Sequence, residues 1–203
     1  MRFKLLIISP PEESPEEVAV LIRLFEAGLA LFHLRKPAWH EARVEEYLQA
    51  IPAVFHPRMV LHSHYALARR YALHGLHLPA WARASWQPSA RQPGQTLSTS
   101  CHTLQEVQQH RHGYDYVLLS PIFDSISKAG YSSAFDLGLL REELQNLQYR
   151  QQYTPQVLAL GGITADTIAT TRDLGFAGAA VLGAVWQAPD PVAAFRAIKS
   201  EIS

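Results

Sequence analysis

The chain has little with which to staple itself or to carry net charge. Cys101 is the lone cysteine among 203 residues, so a disulfide framework is excluded and a reducing, cytoplasmic setting is expected. Eighteen basic side chains are offset by eighteen acidic ones, which removes the electrostatic case for nucleic acid or an acidic membrane as partner. The longest apolar run, 176–186, is too short to span a bilayer and is broken by small residues. The first nine residues lack the longer apolar stretch and small-residue cleavage site of a signal peptide. No HExxH or cysteine-rich spacing accompanies the ten histidines, so no metal ligands are assigned and most histidines read as polar contacts or surface groups.

Apolar residues make up 48% of the chain. A chain of this length buries roughly 70% of the surface its unfolded form exposes, enough for a core without metal or disulfide. Short β-rich runs alternate with amphipathic stretches to the C-terminus without a linker, so residues 1–203 read as one α/β domain with a parallel sheet. Strands are expected at 3–9, 29–35, 59–62, 76–78, 96–100, 114–119, 156–160 and 177–182. Helices are expected at 14–27, 40–51, 65–72, 104–110, 136–148, 165–174 and 191–202. Ser14, with Glu17 three residues on, has the spacing of a capping box. Eight βα units point to a compact (β/α)8 TIM barrel, at the short end of its size range. An open doubly wound sheet alternates in the same way and is the competing architecture. The prolines and glycine of 79–95 leave little room for a full helix there.

Barrel chemistry sits at the C-terminal ends of strands, and those ends are polar here. They read His33-Leu34-Arg35-Lys36, then His62-Ser63-His64, then His77 within strand four, Ser98-Thr99-Ser100, and Ser120-Pro121. Strands seven and eight end in Gly161-Gly162 and Gly183. Glycines there let backbone N–H groups approach a phosphate beside a helix N-terminus, although tight βα turns need glycine too. The loop 120–133 carries Ser125, Ser127 and Lys128, neutral donors and one cation suited to phosphate oxygens. Arg35 and Lys36 either join the same anion site or salt-bridge across the barrel mouth. His62 and His64 share a face only if strand three runs through to His64. Cys101 follows strand five with no base identified beside it, which argues against a catalytic thiol.

In this order the strand ends resemble the thiamine phosphate synthase and thiazole tautomerase (TenI) superfamily, over nearly the whole chain. The matching pieces are His33-Leu34-Arg35, Gly75-Leu76-His77-Leu78, Ser98-Thr99-Ser100-Cys101-His102-Thr103 with Glu106, and Tyr114-Asp115-Tyr116-Val117. They continue with the run from Ser120-Pro121-Ile122-Phe123 to Ser125-Ile126-Ser127-Lys128, then Ala159-Leu160-Gly161-Gly162-Ile163 and Gly178-Ala179-Ala180-Val181. The resemblance implies a thiamine-biosynthesis barrel that binds thiazole phosphate. In the synthases this is joined to hydroxymethylpyrimidine diphosphate, with magnesium and basic residues stabilising the departing pyrophosphate. Carried over, Arg35, Ser100, Ser125, Ser127 and Lys128 contact the diphosphate or the thiazole phosphate, while Gly161, Gly162 and Gly183 hold the thiazole phosphate through backbone N–H groups.

The chain departs from that pattern where metal should bind. The family's Gln-x-Arg-x-Lys is His33-Leu34-Arg35-Lys36-Pro37 here, with the lysine moved by one position, which turns its side chain away unless the strand bulges. The Asn-Asp pair after strand three is His62-Ser63, and the Gly-Gln-x-Asp after strand four is Pro79-Ala80-Trp81-Ala82. Both magnesium carboxylates are therefore absent, and the cofactor expected of the synthases has lost its hard oxygen ligands.

The tautomerase branch instead isomerises a thiazole carboxylate phosphate by proton transfer and needs an acid/base group. Its usual histidine is replaced by Pro121. His62, His33 and His77 are the available substitutes, with His62 preferred because it stands in the place of a substrate-facing family residue. The expected reaction is therefore synthase-like transfer or tautomerisation. A catalytically silent phosphometabolite-binding or regulatory protein is the alternative outside enzymology, and assembly as a homo-oligomer is compatible with either.

Overall fold

A computed structural model describes residues 3–87, 91–109, 113–124, 135–148 and 154–202. Eight parallel strands close into a barrel in chain order: β1 (Lys4–Ile8), β2 (Leu31–Leu34), β3 (Met59–Leu61), β4 (Gly75–Leu78), β5 (Thr96–Cys101), β6 (Tyr116–Leu119), β7 (Gln156–Leu160) and β8 (Gly178–Val181). β8 returns to β1 with Lys4 opposite Gly178 and Ile7 opposite Val181, so this is a (β/α)8 TIM barrel and the open sheet is excluded.

The outer layer holds α1 (Glu17–Glu26), α2 (Glu41–Gln49), α3 (Tyr65–Arg70), α4 (Ala80–Arg83), α5 (Leu104–Gln109), α6 (Leu137–Gln148), α7 (Ala165–Asp173), α8 (Gly183–Trp186) and α9 (Pro191–Ser200). The reading of the sequence contained no counterpart of α8. The 79–95 stretch contributes one turn of helix, α4, among its described residues. Among the described residues no helix is long and apolar enough to cross a membrane.

Helix starts follow local chemistry. Asp190 accepts hydrogen bonds from Val192 N and Ala193 N, with Pro191 in the first turn of α9. Thr164 and Thr167 form a reciprocal capping box at α7. At α1 the expected Ser14–Glu17 capping box does not form. Glu16 occupies the cap position without a side-chain bond, and the Glu17 carboxylate is drawn inward to a buried Lys36. An opposite charge in a low-dielectric site outbids an exposed backbone N–H.

The core has two parts. The larger lies between barrel and helices and includes Leu24, Phe25, Phe32, Leu48, Val107, Ile168 and Phe195. The smaller lies inside the barrel and consists of Leu6, Ile8, Tyr116, Leu118, Leu158 and Ala180. Strand register sets the rest of the interior: His77 stands opposite Ser98, Ser98 opposite Tyr116, and His33 opposite Ile8 and Val60. Period-two alternation therefore points apolar side chains inward from β1, β7 and β8, and polar ones from β2, β4 and β5. One wall of the barrel is greasy and the other is built to hydrogen-bond.

Candidate functional site

β2, β3 and β4 are neighbours, and their C-terminal ends bring three imidazoles together. His33 lies in β2, His62 follows β3 directly, and His77 lies in β4. His33 Nδ1 and His62 Nε2 are 2.9 Å apart and share one proton, while His33 Nε2 lies 2.7 Å from the Tyr116 hydroxyl. His62 and His77 stack with centroids 4.0 Å apart and planes at 19°. His77 Nδ1 lies 3.0 Å from Ser98 Oγ and Nε2 lies 3.1 Å from Ser100 Oγ. Ser98 Oγ also approaches the Leu76 carbonyl. A hydroxyl proton committed to that carbonyl leaves Ser98 to accept from His77 Nδ1–H, and Ser100 then donates to Nε2.

Burial dominates the electrostatics of this cluster. It pushes the His33 imidazolium well below the ordinary histidine range, reinforced by His77 and then His74. His62 is lowered well below that range, first by burial and then by His77, His33 and Arg35. His77 falls to about 3 through burial, with Arg83 and Arg35 adding repulsion. The Tyr116 phenol is raised by burial and stays protonated. At neutral pH the site is a set of neutral imidazoles and hydroxyls whose protons can be redistributed without creating net charge.

The remaining sequence candidates separate. β3 stops at Leu61, and His64 takes a left-handed backbone (φ 52°), so His64 leaves the face of His62 and bonds the Trp39 carbonyl at 2.9 Å. Lys36 turns away from the barrel mouth into a buried ion pair. Its Nζ lies 2.5 Å from Glu17 Oε2 and 2.7 Å from the Glu12 carbonyl, fully buried. The one-residue shift from the family spacing has turned the lysine behind the strand. Arg35 is exposed at the end of β2, where its backbone N–H donates to Ser9 Oγ at 2.8 Å. Ser125, Ser127 and Lys128 lie outside the described residues.

Gly161 and Gly162 follow β7 with φ of +95° and +64°. A Cβ on Gly161 would sit 2.9 Å from Pro121 Cα, and one on Gly162 would sit 2.6 Å from the Asp124 carbonyl. Both glycines are thus required by the close approach of the β6 loop, whatever else they bind. Gly183 opens α8, where first-turn N–H groups have no intrahelical acceptor.

Tyr116 and Ser98 are part of the site; the sequence places Ser98 in the polar end of strand five but does not mark it as a site residue, and Tyr116 escapes the reading of strand ends because it begins β6. Register would have found their roles: with His77 pointing inward, its cross-strand partner Ser98, and Tyr116 opposite Ser98, must point inward too.

A family model described as thiamine monophosphate synthase matches residues 5–185. The thiamine-phosphate synthase of Erythrobacter litoralis is 32% identical, over 98% of this chain and 95% of its own length. The chain belongs to the thiamine monophosphate synthase family. A second relative, the thiamine-phosphate synthase of Bacillus velezensis, is 27% identical over 97% of this chain and 88% of its own. Among solved structures, a thiamine phosphate pyrophosphorylase from Bacteroides thetaiotaomicron superposes with a TM-score of 0.81 at 33% identity, covering 98% of this chain and 97% of that one.

Synthases of this family are expected to use magnesium, and the donor chemistry here does not fit it. Among the described residues the cluster of three potential ligands is His33, His62 and His77. It offers nitrogen alone, whereas magnesium takes oxygen. The ends of β3 and β4 supply His62, Ser63, Pro79 and Ala80 and no carboxylate.

Proposed function

We propose that this chain binds thiazole phosphate and shifts a proton on the thiazole. The observation that carries the reading is the His62–His33–Tyr116 chain, which runs from the end of β3 into the barrel core, beside strand ends where Ser63 and Ala82 replace the carboxylates of the synthase pattern. Buried proton-sharing groups suit isomerisation, which needs no charged leaving group to be neutralised. The phosphate is assigned to backbone N–H groups around Gly161, Gly162 and Gly183, with Arg35 at the rim.

The tautomers dictate the chemistry. His62 Nδ1 is bare when His62 Nε2–H donates to His33 Nδ1 and His33 Nε2–H donates to Tyr116 Oη. In that register Nδ1 takes a proton from one substrate carbon, His33 shares the resulting charge through the 2.9 Å contact, and Nδ1 returns the proton to another carbon. No proton is gained or lost over the cycle. His62 would be the group that touches substrate, and His33 and Tyr116 would position its tautomer.

The relatives' names favour a second reading, joining of thiazole phosphate to hydroxymethylpyrimidine diphosphate. One assay separates them. Thiazole carboxylate phosphate incubated with the protein in deuterated water should change tautomer and exchange a carbon-bound proton, read by proton NMR. Thiamine phosphate should stay at background when the pyrimidine diphosphate and magnesium are added. Thiamine phosphate formation without tautomer conversion would reverse the assignment, and saturable binding with neither product would leave a silent binder.

A further inference from the structure

We propose that His33, His62 and His77 form a nitrogen-donor site for a zinc-class dication. One ring nitrogen from each lies within 4.8 Å of the others. A tetrahedral zinc ion with Zn–N of about 2.0–2.1 Å sets its ligand nitrogens about 3.4 Å apart. That spacing falls between the 2.9 Å of His33 Nδ1 and His62 Nε2 and the 4.8 Å bound, so the side chains reach it while the strands stay in place. The stacked rings of His62 and His77 must rotate so that their lone pairs converge, and this is the main rearrangement the ion demands.

The surroundings are already those of ligating imidazoles. A metal-bound histidine ordinarily donates its second N–H to a fixed oxygen, which sets its tautomer and orientation. His33 has Tyr116 Oη for this, at 2.7 Å. His77 has a serine hydroxyl on each nitrogen, so whichever nitrogen takes the ion, the other keeps its partner. Burial holds all three rings neutral, the form that ligates. Three neutral nitrogens select zinc, cobalt, nickel or copper over magnesium and calcium. His62 is half-buried while His33 and His77 are buried, so the fourth position opens toward the mouth.

This inference does not depend on the proposed proton transfer. The two states are alternatives, because lone pairs committed to an ion cannot share a proton between His33 and His62.

The test uses the whole chain, stripped with a chelator and titrated with cobalt(II). One equivalent should give the intense visible absorption of a tetrahedral ion, displaced by one equivalent of zinc and untouched by excess magnesium. His33→Gln, His62→Asn and His77→Gln should each weaken cobalt binding by more than about a hundredfold, beyond what loss of an outer hydrogen-bond partner costs. His64→Gln, outside the cluster, should bind as the wild type does. Wild-type protein that stays colourless, or weak binding that survives all three substitutions, overturns the site. A colourless wild type overturns the site without any variant, and because the three substitutions are independent, one that does not fold leaves two that locate the ion.

Discussion

The Lys36 ammonium and the Glu17 carboxylate form a buried ion pair at 2.5 Å, tying the end of β2 to the first turn of α1. Tyr47 Oη donates to the other Glu17 oxygen at 3.0 Å. Burial still outweighs the lysine and holds the Glu17 carboxyl above its ordinary range. Removing one partner of such a pair leaves an unpaired polar group in the interior. Lys36→Met should therefore cost about 3 kcal/mol in urea unfolding, with thiazole-phosphate affinity per folded molecule unchanged. Lys36→Met combined with Glu17→Gln should recover most of that loss, since the neutral amide leaves no unpaired charge and can still accept from Tyr47. A single variant that unfolds like the wild type would show the pair to be dispensable, and lost affinity in folded protein would return Lys36 to the proposed phosphate site.

The glycines after β7 and β8 should behave differently. At Gly162 a side chain meets Phe123 and Asp124 under a left-handed backbone, so Gly162→Ala is expected to lose roughly 1–3 kcal/mol of stability through strain and clash. Gly183 opens α8, a position where an acidic residue is compatible with the helix. Gly183→Asp should thus fold, yet weaken thiazole-phosphate binding by more than about tenfold through like-charge repulsion. Calorimetric titration of the folded variant with unchanged affinity would remove the phosphate from this turn.

How much of this was legible beforehand depended on the range of the interactions. The barrel followed from eight βα units, since apolar periodicity is local and connections are short. His33, His62 and His77 could be nominated because each ends or lines a strand. Their mutual contact could not be, because it depends on strand register and on where β3 stops. The fate of Lys36 turned on a single residue of register, which side-chain alternation converts into a change of face. The Ser14–Glu17 capping box failed for a complementary reason: a local signal was overridden by a partner nineteen positions away. Gly161 and Gly162 could be singled out, but that Pro121, Phe123 and Asp124 of the loop after β6 pack against them is a tertiary contact that no local pattern displays.

Acid should weaken the chelator-treated protein. His33, His62 and His77 have native pKa values below the ordinary histidine value, so the unfolded chain binds protons that the native one refuses. Their stabilising contribution is fully present above about pH 6.5 and is lost as pH falls, with each histidine adding up to about 1.4 kcal/mol per pH unit. Urea midpoints measured from pH 7.5 to 5 should fall steadily. His77→Gln should flatten the slope by one proton's worth. A midpoint independent of pH over that interval would contradict neutral burial of the cluster.

Tyr116 offers the sharpest separation of a structural from a mechanistic role. Its hydroxyl accepts from His33 Nε2–H in the register that leaves His62 Nδ1 bare, and Tyr116→Phe removes that acceptor while keeping the ring in the barrel core. Leaving His33 Nε2 unpaired should cost about 1–3 kcal/mol of stability whatever the function. If His33 and Tyr116 position the base, tautomer conversion per folded molecule should also drop by about tenfold, with KM unchanged because the proposed phosphate contacts lie elsewhere. His62→Asn, which removes the proton-transferring nitrogen itself, should cost about a hundredfold or more in kcat with the same unchanged KM. Nitrogen-15 shifts of the His62 ring report the tautomer directly, and they should move in Tyr116→Phe and stay fixed in the distant Lys36→Met. Full turnover in a folded Tyr116→Phe protein with an altered His62 tautomer would show that the register does not matter to the reaction, and full turnover in His62→Asn would end its assignment as the base.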